Sequence, residues 1–161
     1  MKIYKLGEMV RDIVSDTEGM LTHMTVNMDK NEQYVFQPRG LNPETQQPVE
    51  KIYIDKSRII GAIEEEISIP VEILGTEAED IATGFKGIII GLIYHINGCL
   101  HVDIKPKGIL TNTGSTIQSH EFDIRRVKGL VIPNLTKFKM KVSIKKNPSP
   151  DLINIKTKFN K

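Results

Sequence analysis

Few residues in this 161-residue chain carry reactive groups, and most of them stand apart. Four histidines and a single cysteine raise the possibility of a metal centre. Cys99 and His101 share one face of an alternating run, and zinc normally takes four ligands, so His95, Asp103 or His120 would have to converge on that pair. No ligand spacing demands such convergence, and a solvated strand face is the simpler reading, so the sequence predicts no metal and no other cofactor. Nucleophilic catalysis has no better support, because nothing beside Cys99 in the sequence would depress its pKa. Glu64 and Glu65 are adjacent carboxylates in a connecting stretch, and neither G-x-x-x-x-G-K-[ST] nor G-x-G-x-x-G occurs as a phosphate loop. A non-enzymatic protein is expected.

The arginines are more suggestive. Asp55 with Arg58, and Asp123 with Arg126, recur at one spacing, and Arg125 is added in the second set. A guanidinium presents two parallel donors that fit a carboxylate or a phosphate equally well, so each arginine either braces an aspartate or grips an anionic ligand. Arg39 and Lys107 each follow a proline and could complete an anion site, with Tyr94 and Phe85 as stacking surfaces. The candidate ligand-binding set is therefore Arg39, Arg58, Tyr94, Lys107, Arg125 and Arg126.

The elements that hold these residues come in duplicate. Sliding the chain on itself by 68 residues gives 11 identities in the 56 pairs from Leu6 to Gly61, among them Gly7/Gly75, Asp12/Asp80, Gly19/Gly87, Pro38/Pro106, Gly40/Gly108, Asp55/Asp123 and Arg58/Arg126. About three or four identities would arise by chance at average composition. Each copy reads as strands. Gly87 to Ile96 is rich in β-branched residues and ends at Asn97-Gly98, a hairpin turn pair. Leu100, Val102 and Ile104 then alternate with Cys99, His101, Asp103 and Lys105, and Pro106 ends the run. Four or five short strands in about 60 residues fit a small barrel of the Src-homology or KOW type. The expected fold is all-β: a first β-module over 1–61, an acidic linker strand over 62–74, a second β-module over 75–129 and a basic C-terminal β-hairpin over 130–161.

Net charge of +2 conceals a division. Residues 137–161 carry a local balance of +7, and the rest of the chain is at −5, with acid concentrated at Glu64, Glu65, Glu66, Glu72, Glu77, Glu79 and Asp80. Lys139, Lys141, Lys145, Lys156 and Lys158 could neutralise phosphates of a nucleic acid, although lysines on edge strands also block aggregation. The charged fraction of 26% and the hydrophobic fraction of 39% are those of a packed globular domain, and no apolar run approaches the roughly 20 residues of a membrane span. With one cysteine and no apolar leader, the sequence predicts an intracellular protein that does not engage a membrane.

The second copy's Asp80-x-x-Thr83-Gly84-Phe85-x-Gly87-Ile88-x-x-Gly91, followed by Asn97-Gly98-Cys99, Lys105-Pro106 and Phe122-Asp123-Ile124-Arg125-Arg126, resembles a module of small, largely uncharacterised bacteriophage proteins. The resemblance covers roughly 67–127. Copy one keeps Gly19, Gln37-Pro38 and Ile54-Asp55-x-x-Arg58, but lacks the Asn-Gly-Cys turn. The resemblance implies a phage protein acting in the host cytoplasm, with no catalytic residues to carry over. Two kinds of partner follow as expectations. One is a small anionic nucleotide, such as a cyclic-nucleotide immune signal sequestered by a counter-defence sponge. The other is a host or virion protein on which a structural or inhibitory phage protein docks. Nucleic-acid binding through the lysine-rich hairpin is a further expectation, drawn from the charge distribution. A homo-oligomer, dimer or tetramer, is expected because a hairpin face needs covering.

Overall fold

A computed structural model describes residues 1–130 of the chain. The expected C-terminal hairpin, with its candidate residues Lys139, Lys141, Lys145, Lys156 and Lys158, lies outside the described residues. The regular elements within 1–130 are strands and three 3-10 turns, so the protein is all-β as expected. Strands β1 (Lys2–Tyr4), β2 (Met9–Asp12), β3 (Thr17–Asn27), β4 (Glu32–Pro38) and β5 (Ile52–Asp55) lead into a turn at Lys56–Arg58 and then β6 (Ile59–Ile60). After β7 (Glu64–Glu66) and a turn at Val71–Ile73 the order repeats. The second set is β8 (Glu77–Asp80), β9 (Lys86–His95), β10 (Leu100–Lys105), β11 (His120–Asp123), a turn at Ile124–Arg126 and β12 (Val127–Lys128).

The two modules have the same antiparallel order, β6-β2-β3-β4-β5 and β12-β8-β9-β10-β11. Their likeness extends to backbone detail. Positive φ falls at Gly7, Asp16, Lys30, Gly40, Gln46 and Gly61, and again 68 residues on at Gly75, Gly84, Gly98, Gly108, Gly114 and Gly129. The isolated bridges Leu41↔Pro48 and Ile109↔Thr116 keep the same offset. In the acidic linker, Glu64–Glu66 pairs with Lys2–Tyr4 as a separate two-stranded ribbon.

Neither module closes into the barrel that its strand count suggests. The first half of β3 (Thr17–Met20) pairs β2, and on that edge the second half (His23–Asn27) pairs β9 of the other module. With β6 only two residues long, the sheet runs on into its sister instead of returning to β5. The β3–β9 ladder joins His23 to His95, Thr25 to Ile93 and Asn27 to Gly91. Thr25 and Ile93 are the same position of the repeat, so a local two-fold relates the modules about that pair. The fold is a dimer-like arrangement within one chain.

One hydrophobic cluster serves both halves, with equivalent positions filled by Leu21 and Ile89, Met24 and Leu92, Tyr34 and Val102, Phe36 and Ile104, and Ile59 and Val127. Two features shape it. An extra residue in β3 at Thr22, and in β9 at Ile90, makes a bulge against β4 and β10. Each bulge reverses the alternation, so Gly19 and Leu21 are buried before it, while Met24 and Val26 are buried after it and His23 is left on the opposite face. The glycines that start these strands are required by close approach. A Cβ on Gly19 would lie 2.5 Å from the Gln37 carbonyl oxygen, and one on Gly87 2.2 Å from that of Lys105.

Candidate functional site

The repeated arginines do not bond the aspartates three residues before them. Nε and Nη2 of Arg58 donate to Asp12 at 2.9 and 2.7 Å, and those of Arg126 donate to Asp80 at 3.0 and 2.9 Å. Asp12 and Asp80 are both fully buried at the ends of their strands. Each also accepts the hydroxyl of the following turn, from Ser15 at 2.6 Å and from Thr83 at 2.7 Å. The Arg58 guanidinium holds the Asp12 carboxyl well below the usual carboxylate range, against the opposing effect of burial. For Asp80, burial opposes ionisation, but hydrogen bonds from Thr83 and Arg126 outweigh it and leave the pKa lowered. A buried carboxylate with all its partners is a structural hub, and removing the cation would strand a charge. Both arginines also keep an exposed edge, and Arg126 lies over the Phe122 ring at 5.7 Å. Arg125 is the arginine that folds back on Asp123, with Nε at 2.9 Å, and this holds the Asp123 carboxyl at about 2.

Arg39 and Lys107 sit in two equivalent clefts. The first, about 300 Å³, is lined by Met9, Val10, Arg11, Glu18, Arg39, Ile60 and Gly61; the second, about 560 Å³, is lined by the residues 68 positions further on, together with Gly87. In the second cleft Lys107 pairs with Glu77, while Lys86 and Lys128 share Glu79 at 3.1 and 2.9 Å. Three ammonium groups thus meet two carboxylates. In the first cleft Arg39 stands 3.6 Å from Glu18. The cations of these pairs are exposed, and ion pairs with exposed partners contribute little, so they can turn to a better anion at small cost. Among the described residues, Arg58, Arg125 and Arg126 line neither cleft. Tyr94 is half-buried and packs against the core, where burial raises its pKa. Phe85 packs on Phe122 and, edge-on, on His120.

Three histidines gather on the outer face near the local two-fold. His95 Nε2 lies 3.1 Å from Glu121 Oε1, His101 Nδ1 contacts the same oxygen, and the two rings are 4.6 Å apart. His23 stacks on His95 at 5.1 Å, and its Nδ1 is 3.1 Å from the Thr22 hydroxyl. Burial, then His95 and Lys51, lower the His23 pKa. Neither Cys99, Asp103 nor His120 belongs to this group. Glu121 and His23 escaped the sequence reading, because register on β11 and the Thr22 bulge place them. Strand alternation carries one clue, since Glu121 precedes Asp123 by two and so shares its face.

Comparison with protein-family models, with curated proteins and with solved structures gives no match to this chain.

Proposed function

We propose that this chain is a non-enzymatic binding protein that takes small anionic nucleotide ligands into the two clefts around Arg39 and Lys107. In a phage setting it would act as a counter-defence sponge for a cyclic-nucleotide immune signal. The observation that carries this reading is that the two clefts are lined by equivalent positions of the repeat, each with a cation at the position after the repeat proline. A phosphate would draw Lys107 from Glu77 and Lys86 and Lys128 from the half-buried Glu79, and Arg39 would offer its planar fork. Two sites per chain suit sequestration, because capture by mass action scales with the number of sites.

Calorimetry with a panel of cyclic mono- and dinucleotides tests it. Saturable binding of up to two ligands per chain, weakened by Lys107→Ala and Arg39→Ala, supports the reading; heats no larger than buffer across the panel overturn it.

A second reading rests on a separate observation. Ile13 and Ile81, Met28 and Ile96, and Leu41 and Ile109 are exposed apolar residues at equivalent turns of the two modules. Duplicated apolar knobs fit docking on a host or virion protein with matching pockets. Nucleic-acid binding by the lysine-rich C-terminal segment is read by gel shift, where a steep salt dependence would mark it.

A further inference from the structure

Among the described residues, the outer-face histidine group is a cluster of ligating side chains that the repeat does not share. Positions equivalent to His95, His101 and Glu121 in the first module are Asn27, Gln33 and Tyr53, and the position equivalent to His23 is Gly91. The scaffold therefore tolerates non-ligating residues at each of these places. Charge or packing common to both modules does not call for three histidines and a carboxylate on one side of the two-fold.

We propose that His95, His101 and Glu121 form a site for a divalent transition-metal ion of borderline softness, with Zn2+ as its best occupant. One ligand atom from each lies within 4.8 Å of the others. Tetrahedral zinc with bonds of about 2.0–2.1 Å holds its ligand atoms roughly 3.3 Å apart, so a small rotamer adjustment closes the set. The backbone there is already paired in the sheet. His95 lies on β9, His101 on the adjacent β10 and Glu121 on β11, and these consecutive strands are fixed by their ladders. Glu121 Oε1 now lies between the two imidazoles, where a cation would separate these groups and take a bond from each. Imidazole and carboxylate together select zinc, cobalt or nickel over magnesium or calcium, which take oxygen ligands. Three protein ligands leave one tetrahedral position for water, and His23 walls the site, its ring held by the Thr22 hydroxyl. The residue pattern alone predicts no metal here.

The test uses the full chain, stripped with a chelator and titrated with ZnCl2 by calorimetry, and with CoCl2 by visible absorption. One equivalent of zinc, a raised melting temperature and a tetrahedral cobalt spectrum are expected, with no effect of MgCl2 or CaCl2. His95→Asn and His101→Gln install the residues that the first module already accommodates, so they should keep the metal-free melting temperature and lose zinc uptake. Glu121→Gln should bind more weakly. A wild-type chain without saturable zinc uptake overturns the site. So does uptake that survives both histidine substitutions, or that disappears only with Cys99→Ser.

Discussion

Arg126 reaches back 46 residues to the buried carboxylate of Asp80, and Arg58 spans the same 46 residues to Asp12. Each pair ties the turn that precedes the module's final strand to the end of its first long-range ladder. It also gathers the tight turn after that ladder through Ser15 or Thr83. This arrangement is duplicated as a unit, and it makes the arginines a matter of stability first.

Replacing Arg58 or Arg126 by alanine should lower the melting temperature by several degrees or more, since a buried carboxylate is left without its cation. Nucleotide affinity should change little. The measurement is a thermal melt beside a ligand titration of each variant, and a variant that melts like the wild type but binds tenfold worse would return the arginine to the ligand site.

Acid should expose the same hubs. The Asp12, Asp80 and Asp123 carboxyls all have folded pKa values below their ordinary 3.8. Their stabilising contribution is present above about pH 4, where the unfolded chain is also ionised. It is lost progressively as pH falls below that, through the folded values, when the unfolded chain binds protons first. Denaturant titrations from pH 7 to pH 2 should show stability dropping below about pH 4, and dropping less in Asp12→Asn, which has already lost one of these groups.

The strand glycines give a steric prediction. Gly19→Ala and Gly87→Ala push a methyl group against backbone oxygen, which should destabilise the protein by about 1–3 kcal/mol, the larger loss falling at Gly87 where the approach is closer. Gly84→Asp should be milder, near 1 kcal/mol, because Gly84 has open space around it and Asp16 holds the equivalent left-handed position at φ 56. Chemical denaturation of the three variants separates these cases.

In the clefts, Lys107→Ala should weaken an anionic nucleotide roughly tenfold, as expected for a lost charge-assisted hydrogen bond. Lys156→Ala, in the basic C-terminal segment, should leave that affinity alone. Calorimetry at two salt concentrations reads both.

Strands β5 and β11 are edges of the shared sheet among the described residues, and unpaired strand edges favour symmetric pairing. Light scattering at micromolar concentration should give a multiple of the 18.2 kDa chain mass, and a clean monomer mass would argue against the homo-oligomer.

Much of this architecture was legible in the linear chain. Turn residues and alternation are local properties, so the 68-residue offset, the Asn97-Gly98 hairpin and the buried set Leu100, Val102 and Ile104 could be read without coordinates. Tertiary structure decided what depends on distant partners. The carboxylates of Asp12 and Asp80 are no nearer in sequence to the arginines than many others, and only the packing of β2 on β6 and of β8 on β12 brings them together. The Thr22 and Ile90 bulges reverse which face each side chain takes, and no residue pattern along the strand announces that reversal. The β3–β9 ladder then brings His23 to His95 and turns two expected barrels into one continuous sheet. An edge left open by one module is filled at least free-energy cost by the equivalent edge of its twin.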